Sequence, residues 1–190
     1  MSSLAESEKN ALLQLARQSF VAAVNRVDGT FLFNNLSKDA ASIMRLGGAF
    51  VTLMRHGRLR GCIGQLPSGT KLVEVVTHCA YAVASEDSRF PRVLPDDLAS
   101  IEIELSVLSE VFDIKREEIE SGKHGLFVSN RSRRGVLLPQ VALQFHWDGT
   151  RFLEAACEKA GLARDAWKDT STRVQAFTAE VFSETEFRAT

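Results

Sequence analysis

The sequence predicts an α+β domain, a mainly antiparallel β-sheet flanked by helices. Three observations carry this. Ile101-Glu102-Ile103-Glu104-Leu105-Ser106-Val107 alternates apolar and polar residues, the period of a half-buried strand. Residues 47–65 and 125–138 each read as two strands around a short turn, the arrangement that joins antiparallel neighbours. Helical periodicity occupies much of the remaining chain, so helices are set between hairpins.

In chain order, Leu12, Leu15, Ala16, Ser19, Phe20 and Ala23 recur at helical spacing, which predicts a helix from residue 4 to about 25. Ser3 followed by Glu6 supplies a capping box for it. A strand over Gly47–Met54, a turn at Arg55-His56-Gly57-Arg58 and a strand over Leu59–Gln65 make the first hairpin. A second helix follows with Thr70 as N-cap and Leu72, Val75, Val76, Cys79 and Val83 on its apolar face. Residues 85–97 are irregular. After the strand at 101–107, Lys115–Ser121 reads as a short helix closed by Gly122. Gly125–Asn130 and Gly135–Leu138 form the second hairpin around the basic turn Arg131-Ser132-Arg133-Arg134. Thr150–Ala160 is a helix stopping at Gly161, and Arg173–Phe182 alternates as a final strand.

The 190 residues show no internal repeat, low-complexity tract or linker, so they are expected to form a single domain, with two lobes allowed. At this size folding buries roughly 70% of the unfolded chain's surface, so neither metal nor disulfide is required. A net charge of −1 argues against a protein devoted to gripping nucleic acid or an anionic membrane. The longest apolar runs fall far short of the ~20 residues that span a bilayer. Three widely spaced cysteines and an N-terminus without a basic-then-apolar leader fit a soluble protein of the reducing cytoplasm.

Chemistry concentrates in Leu59-Arg60-Gly61-Cys62-Ile63-Gly64. On a strand, Arg60, Cys62 and Gly64 share one face. One reading is a thiol whose pKa is lowered by the guanidinium, with glycines admitting a substrate. The other is a small buried hydrophobe in a sheet, which residue type alone favours.

His56, His78, His124 and His146 have no metal-site spacing, so neither a metal nor a cofactor is expected. Glu74 and His78 share a helix face, as a solvated pair would. Gly64-Gln65-Leu66-Pro67-Ser68-Gly69-Thr70-Lys71 misses the phosphate-loop pattern because Gly-Thr-Lys replaces Gly-Lys-Ser/Thr. Lys123–Val128 only faintly echoes an RNA-recognition strand, and Arg131–Arg134 reads as a solvated basic turn.

Several segments in order resemble the AMMECR domain, also called system protein A of the AmmeMemoRadiSam group. They are Gly48–Leu53, Leu59–Gly64, Asp87-Ser88-Arg89-Phe90-Pro91 and Ile101–Leu108, then His124-Gly125-Leu126, Arg133–Val141, Ala160-Gly161-Leu162 and Asp165-Ala166-Trp167. The likeness covers nearly the whole chain. Ser88 departs from it, since the family commonly has proline there. The resemblance implies an antiparallel sheet flanked by helices, arranged as a larger and a smaller lobe. It also implies association with Memo-type proteins and radical-SAM enzymes, and leaves the family's activity open.

Two functions compete. In the first, an accessory or binding module, the six-residue run is architectural and Arg60 ties down a carboxylate. In the second, a thiol-dependent enzyme, Cys62 is the nucleophile and His124 the general base. Arg60, Gly61, Gly64, Arg134 and Gln140 would then be the ligand-binding set. The binding module stands ahead because it needs no base at a set distance from the sulfur.

Overall fold

The burial of Leu12, Leu15, Ala16, Ser19, Phe20 and Ala23 on one face makes helix α1 (Glu6–Val24). The structure is a computed structural model that describes residues 3–27 and 43–188. The start of α1 differs from the expected capping box. The Ala5 amide donates to Glu8 Oε2 at 2.8 Å, while Ser3 Oγ donates to Glu180 Oε1 at 2.6 Å. A tertiary carboxylate has drawn the serine away, and Glu8 alone returns to the Ala5 amide, since Ala5 has no side-chain acceptor to complete a box.

Strands β1 (Gly48–Arg55) and β2 (Arg58–Gln65) form the first hairpin. Its two-residue turn places His56 and Gly57 at φ 51° and 73°, the left-handed pair that matches strand twist. Helix α2 (Leu72–Ala82) buries Leu72, Val75, Val76 and Cys79, as the periodicity predicts. Its N-cap is Lys71 rather than Thr70, whose hydroxyl accepts from Gln65 Nε2 at 3.4 Å. The cleanest predicted strand is β3 (Ile101–Leu108).

Residues 173–182 do not make one strand. They break at Thr178 into β7 (Arg173–Phe177) and β8 (Ala179–Ser183), which serve different sheets, and helix α5 (Glu184–Arg188) follows. The alternation falters where Ala176 and Phe177, both buried, stand side by side just before the break.

The fold is α+β with two antiparallel sheets of four strands each, rather than one. The first has the order β2-β1-β3-β8. The second, β4-β7-β5-β6, adds β4 (Phe112–Asp113), β5 (Gly125–Asn130) and β6 (Arg133–Leu137). The chain divides into two compact units, Met1–Leu108 with Glu180–Thr190, and Ser109–Ala179.

In the first unit, Leu12, Phe20, Leu72, Val76, Val51, Leu53, Ile103 and Leu105 form a core between α1, α2 and one sheet face. Burying such side chains stabilises by roughly 1.5–3 kcal/mol each. Glu184, buried at the start of α5, accepts from Arg17 and, at 2.9 Å, from the Ile103 amide.

The second unit packs Leu126, Val128 and Ala176 of its sheet against Phe152, Leu153 and Ala156 of helix α4 (Gly149–Lys159). Asp148 caps α4 by accepting from the Arg151 amide at 2.7 Å. Gly161 takes φ 70° just beyond it. The turn between β5 and β6 is only Arg131-Ser132, so Arg133 and Arg134 belong to β6. The helix expected over 115–121 is reduced to a single turn, Arg116–Glu118. Seven residues with one buried side chain, Ile119, cannot offset helix nucleation. Helix α3 (Pro139–Gln144), with proline in its first turn, was not evident from periodicity.

Candidate functional site

Cys62 sits on β2, an outer strand of the first sheet, so one side of its backbone lies beyond the ladder. The loop after α2 fills that side. The Cys62 amide donates to Asp87 Oδ2 at 2.8 Å, and Arg89 Nη2 donates to the Cys62 carbonyl at 3.4 Å. Arg89 also grips Asp87 through both oxygens, Nε to Oδ1 at 2.8 Å and Nη2 to Oδ2 at 2.7 Å. The bidentate pair holds the Asp87 carboxyl down at about 2, with the Cys62 amide adding to the effect. Asp87 is nearly buried, its side chain 6% exposed, whereas Arg89 is 50% exposed. Two residues of one loop therefore do the work of a missing neighbouring strand.

The sulfur is half-buried. Thr52, directly opposite on β1, donates Oγ1 to Cys62 Sγ at 3.3 Å, and Glu104 lies opposite Thr52 on β3. Burial pushes the thiol up. The Thr52 hydroxyl and Arg89 work against that rise, while Asp87 and Glu104 add to it. The expected lowering by Arg60 is not found.

A register slip between Leu53 and Met54 explains why. Leu53 pairs with Gly61 and Met54 with Leu59, so Arg60 is the extra residue of a bulge. The bulge breaks the alternation that would have put Arg60 on the Cys62 face, and its Nη2 donates instead to the Arg92 carbonyl at 3.4 Å. Arg60 thus ties down a carbonyl. The carboxylate partner is Arg89, which simple alternation could not reveal.

Both glycines of the run are occupied by the protein's own packing. A Cβ at Gly61 would stand 3.2 Å from Val83 Cγ2 beyond α2, and one at Gly64 would stand 2.2 Å from the Phe50 ring. The space beside them holds Val83 and an aromatic side chain.

The remaining candidates belong to the second unit. His124 is buried on the 120–124 turn, where Nδ1 accepts from the Glu120 amide at 3.1 Å. Its ring stands edge-on to Phe112 at 5.9 Å. Arg134 is exposed on β6 opposite Ser129, and Gln140 sits in the first turn of α3. Arg60, Gly61, Cys62 and Gly64 are gathered on one strand of the first unit, and His124, Arg134 and Gln140 are spread over three elements of the second.

Sequence reasoning missed Thr52, Asp87 and Arg89. All three lie in segments that carry the family resemblance, and Asp87 and Arg89 share an Asp-x-Arg spacing, but neither signal gave them a role.

Elsewhere in the first unit, Glu74 and His78 line a recess of about 380 Å³ with Gln65, Thr70 and Val75. Among the described residues no three His, Cys, Asp or Glu side chains converge on one point, and no helix is long and apolar enough to cross a membrane.

With strands, glycines and loop in place, the class is an α+β protein built on a tied-down Arg-Gly-Cys strand. The AMMECR1 family model matches residues 13–182, and the chain belongs to that family. A protein of Thermofilum pendens is 37% identical over 202 residues, covering 97% of this chain and 93% of the relative. One from Methanothermobacter thermautotrophicus is 41% identical over 144 residues, covering 72% and 75%. The crystal structure of an uncharacterized protein from Pyrococcus horikoshii superposes with a TM-score of 0.87 at 34% identity, covering 95% of this chain and 93% of the other.

Proposed function

We propose that this AMMECR1-family protein is a cytoplasmic accessory or binding module acting with Memo-type or radical-SAM partner proteins. In this reading the Arg60–Gly64 run is framework. The observation that carries it is the capture of the Cys62 backbone, amide and carbonyl together, by Asp87 and Arg89. Two further features agree. The glycine positions face the protein's own Val83 and Phe50, which leaves no side-chain-free floor for a substrate. Burial holds the thiol protonated, the reverse of an activated nucleophile. The identity of the partners rests on the family resemblance alone.

The competing reading, a thiol-dependent enzyme centred on Cys62, draws on the half-buried sulfur and on Thr52 and Arg89 beside it. It assigns His124 the role of base and Arg60, Arg134 and Gln140 that of substrate contacts. Capture of a purified Memo-type or radical-SAM protein by variant chains separates the two. Cys62→Ala should fold and retain the partner at wild-type affinity, whereas Arg89→Ala, which frees the loop, should weaken capture at least fivefold. Equal loss in both variants with the fold intact contradicts the framework reading.

A further inference from the structure

The tip of the β1–β2 hairpin carries an electrostatic arrangement that neither the fold nor the Cys62 region requires. Arg55 and Arg58 are direct cross-strand partners on the last rung before the turn. Like charges placed opposite one another on a sheet are destabilising. One of the two is compensated, since Arg55 Nη1 meets Asp97 Oδ1 at 2.9 Å. The Arg58 side chain is exposed and has no ion pair or hydrogen bond among the described residues.

The bulge brings in a third cation. Arg60, the extra residue, lines the same recess of about 380 Å³ as Arg55, His56, Arg58 and Leu59. Among the described residues its side chain bonds to the Arg92 carbonyl and meets no carboxylate. Residues 54–60 contain three arginines and a histidine and no acid, in a chain whose net charge is only −1. The concentration is therefore local.

We infer that this hairpin tip is an anion site that takes a phosphate-bearing ligand, held by the guanidiniums of Arg55, Arg58 and Arg60. A doubly charged oxyanion at this rung supplies Arg58 with the counter-charge it lacks among the described residues and shares Arg55 with Asp97. Guanidinium forks match phosphate oxygens in geometry as well as in charge. Bulges recur where a strand must aim a side chain at a ligand. The phosphate could belong to a small phosphorylated molecule or to a polynucleotide backbone, and the same residues would grip either. This inference does not depend on the framework reading of Cys62, because the residue tested, Arg58, has no part in it.

Isothermal titration at about 50 mM salt with pyrophosphate, and separately with a single-stranded RNA 12-mer, tests the site. Sodium chloride of matched ionic strength controls for screening. Wild type should saturate with at least one probe, and Arg58→Glu should weaken that binding at least tenfold while Arg58→Gln has a smaller effect. Without ligand, Arg58→Glu should keep the circular dichroism and cooperative unfolding of wild type, since the Arg58 side chain is exposed and makes no bond among the described residues. Saturation by pyrophosphate assigns a small phosphorylated ligand. Saturation by RNA alone, with a steep salt dependence, assigns a polynucleotide backbone. Binding of neither probe, or binding unchanged in Arg58→Glu, overturns the inference.

Discussion

Replacing Asp87 with asparagine removes the charge that holds the outer strand of the first sheet to its loop. The carboxyl lies at about 2 instead of its ordinary 3.8. At ~1.4 kcal/mol per pKa unit, this depression corresponds to roughly 2.5 kcal/mol of native-state stabilisation. Arg89, the main cause, is half-exposed, so solvent screening brings the expected loss to about 1–2 kcal/mol.

The pH dependence has a definite sign. Because the folded pKa is depressed, the contribution is complete above about pH 5 and is lost as pH falls through the folded value near 2. About half should be gone by pH 3. Urea unfolding of wild type and Asp87→Asn, followed by far-UV circular dichroism from pH 7 to pH 3, measures the gap. Hydrogen exchange at the Cys62 amide, which donates to Asp87, should accelerate in the variant. Equal stabilities at pH 7 would refute the reasoning, as would a gap that stays constant down to pH 3.

Two further outcomes test the same strand. Gly64→Ala drives a methyl group into the Phe50 ring and should cost about 1–3 kcal/mol in urea unfolding. Phe50→Leu in the same chain should return part of that loss, and strictly additive losses would show that the ring is not the obstacle. Iodoacetamide should alkylate native Cys62 at pH 7.5 at least ~10-fold more slowly than free cysteine, with a rate that keeps rising above pH 9. This follows from the upward push of burial on its thiol. Mass spectrometry of the modified peptide reads the rate, and a plateau reached below pH 7 would show an activated thiolate instead.

Local patterning was enough to place most elements. Leu72, Val75, Val76 and Cys79 mark α2 because a helix returns one face to the core every three or four residues. Ile101, Ile103, Leu105 and Val107 mark β3 because a strand returns to it every two. The His56-Gly57 turn is equally local, for its left-handed backbone can be met within two residues.

Features that depend on distant partners could not be read this way. Ser3 abandons its own helix for Glu180, and residues 173–182 divide between two sheets at Thr178. Arg60 leaves the Cys62 face because its strand slips by one residue against β1, a choice made by pairing rather than by residue type.

Composition, periodicity and turn chemistry therefore specified an α+β chain and drew attention to Arg60–Gly64. Three-dimensional packing alone brought Asp87, Arg89 and Thr52 around Cys62. It also set Arg55 opposite Arg58, since such contacts depend on strand register and loop closure. Side-chain order along a chain encodes the first kind of information directly. The second arises when segments many residues apart compete for the same buried hydrogen bonds, and no local pattern records the winner.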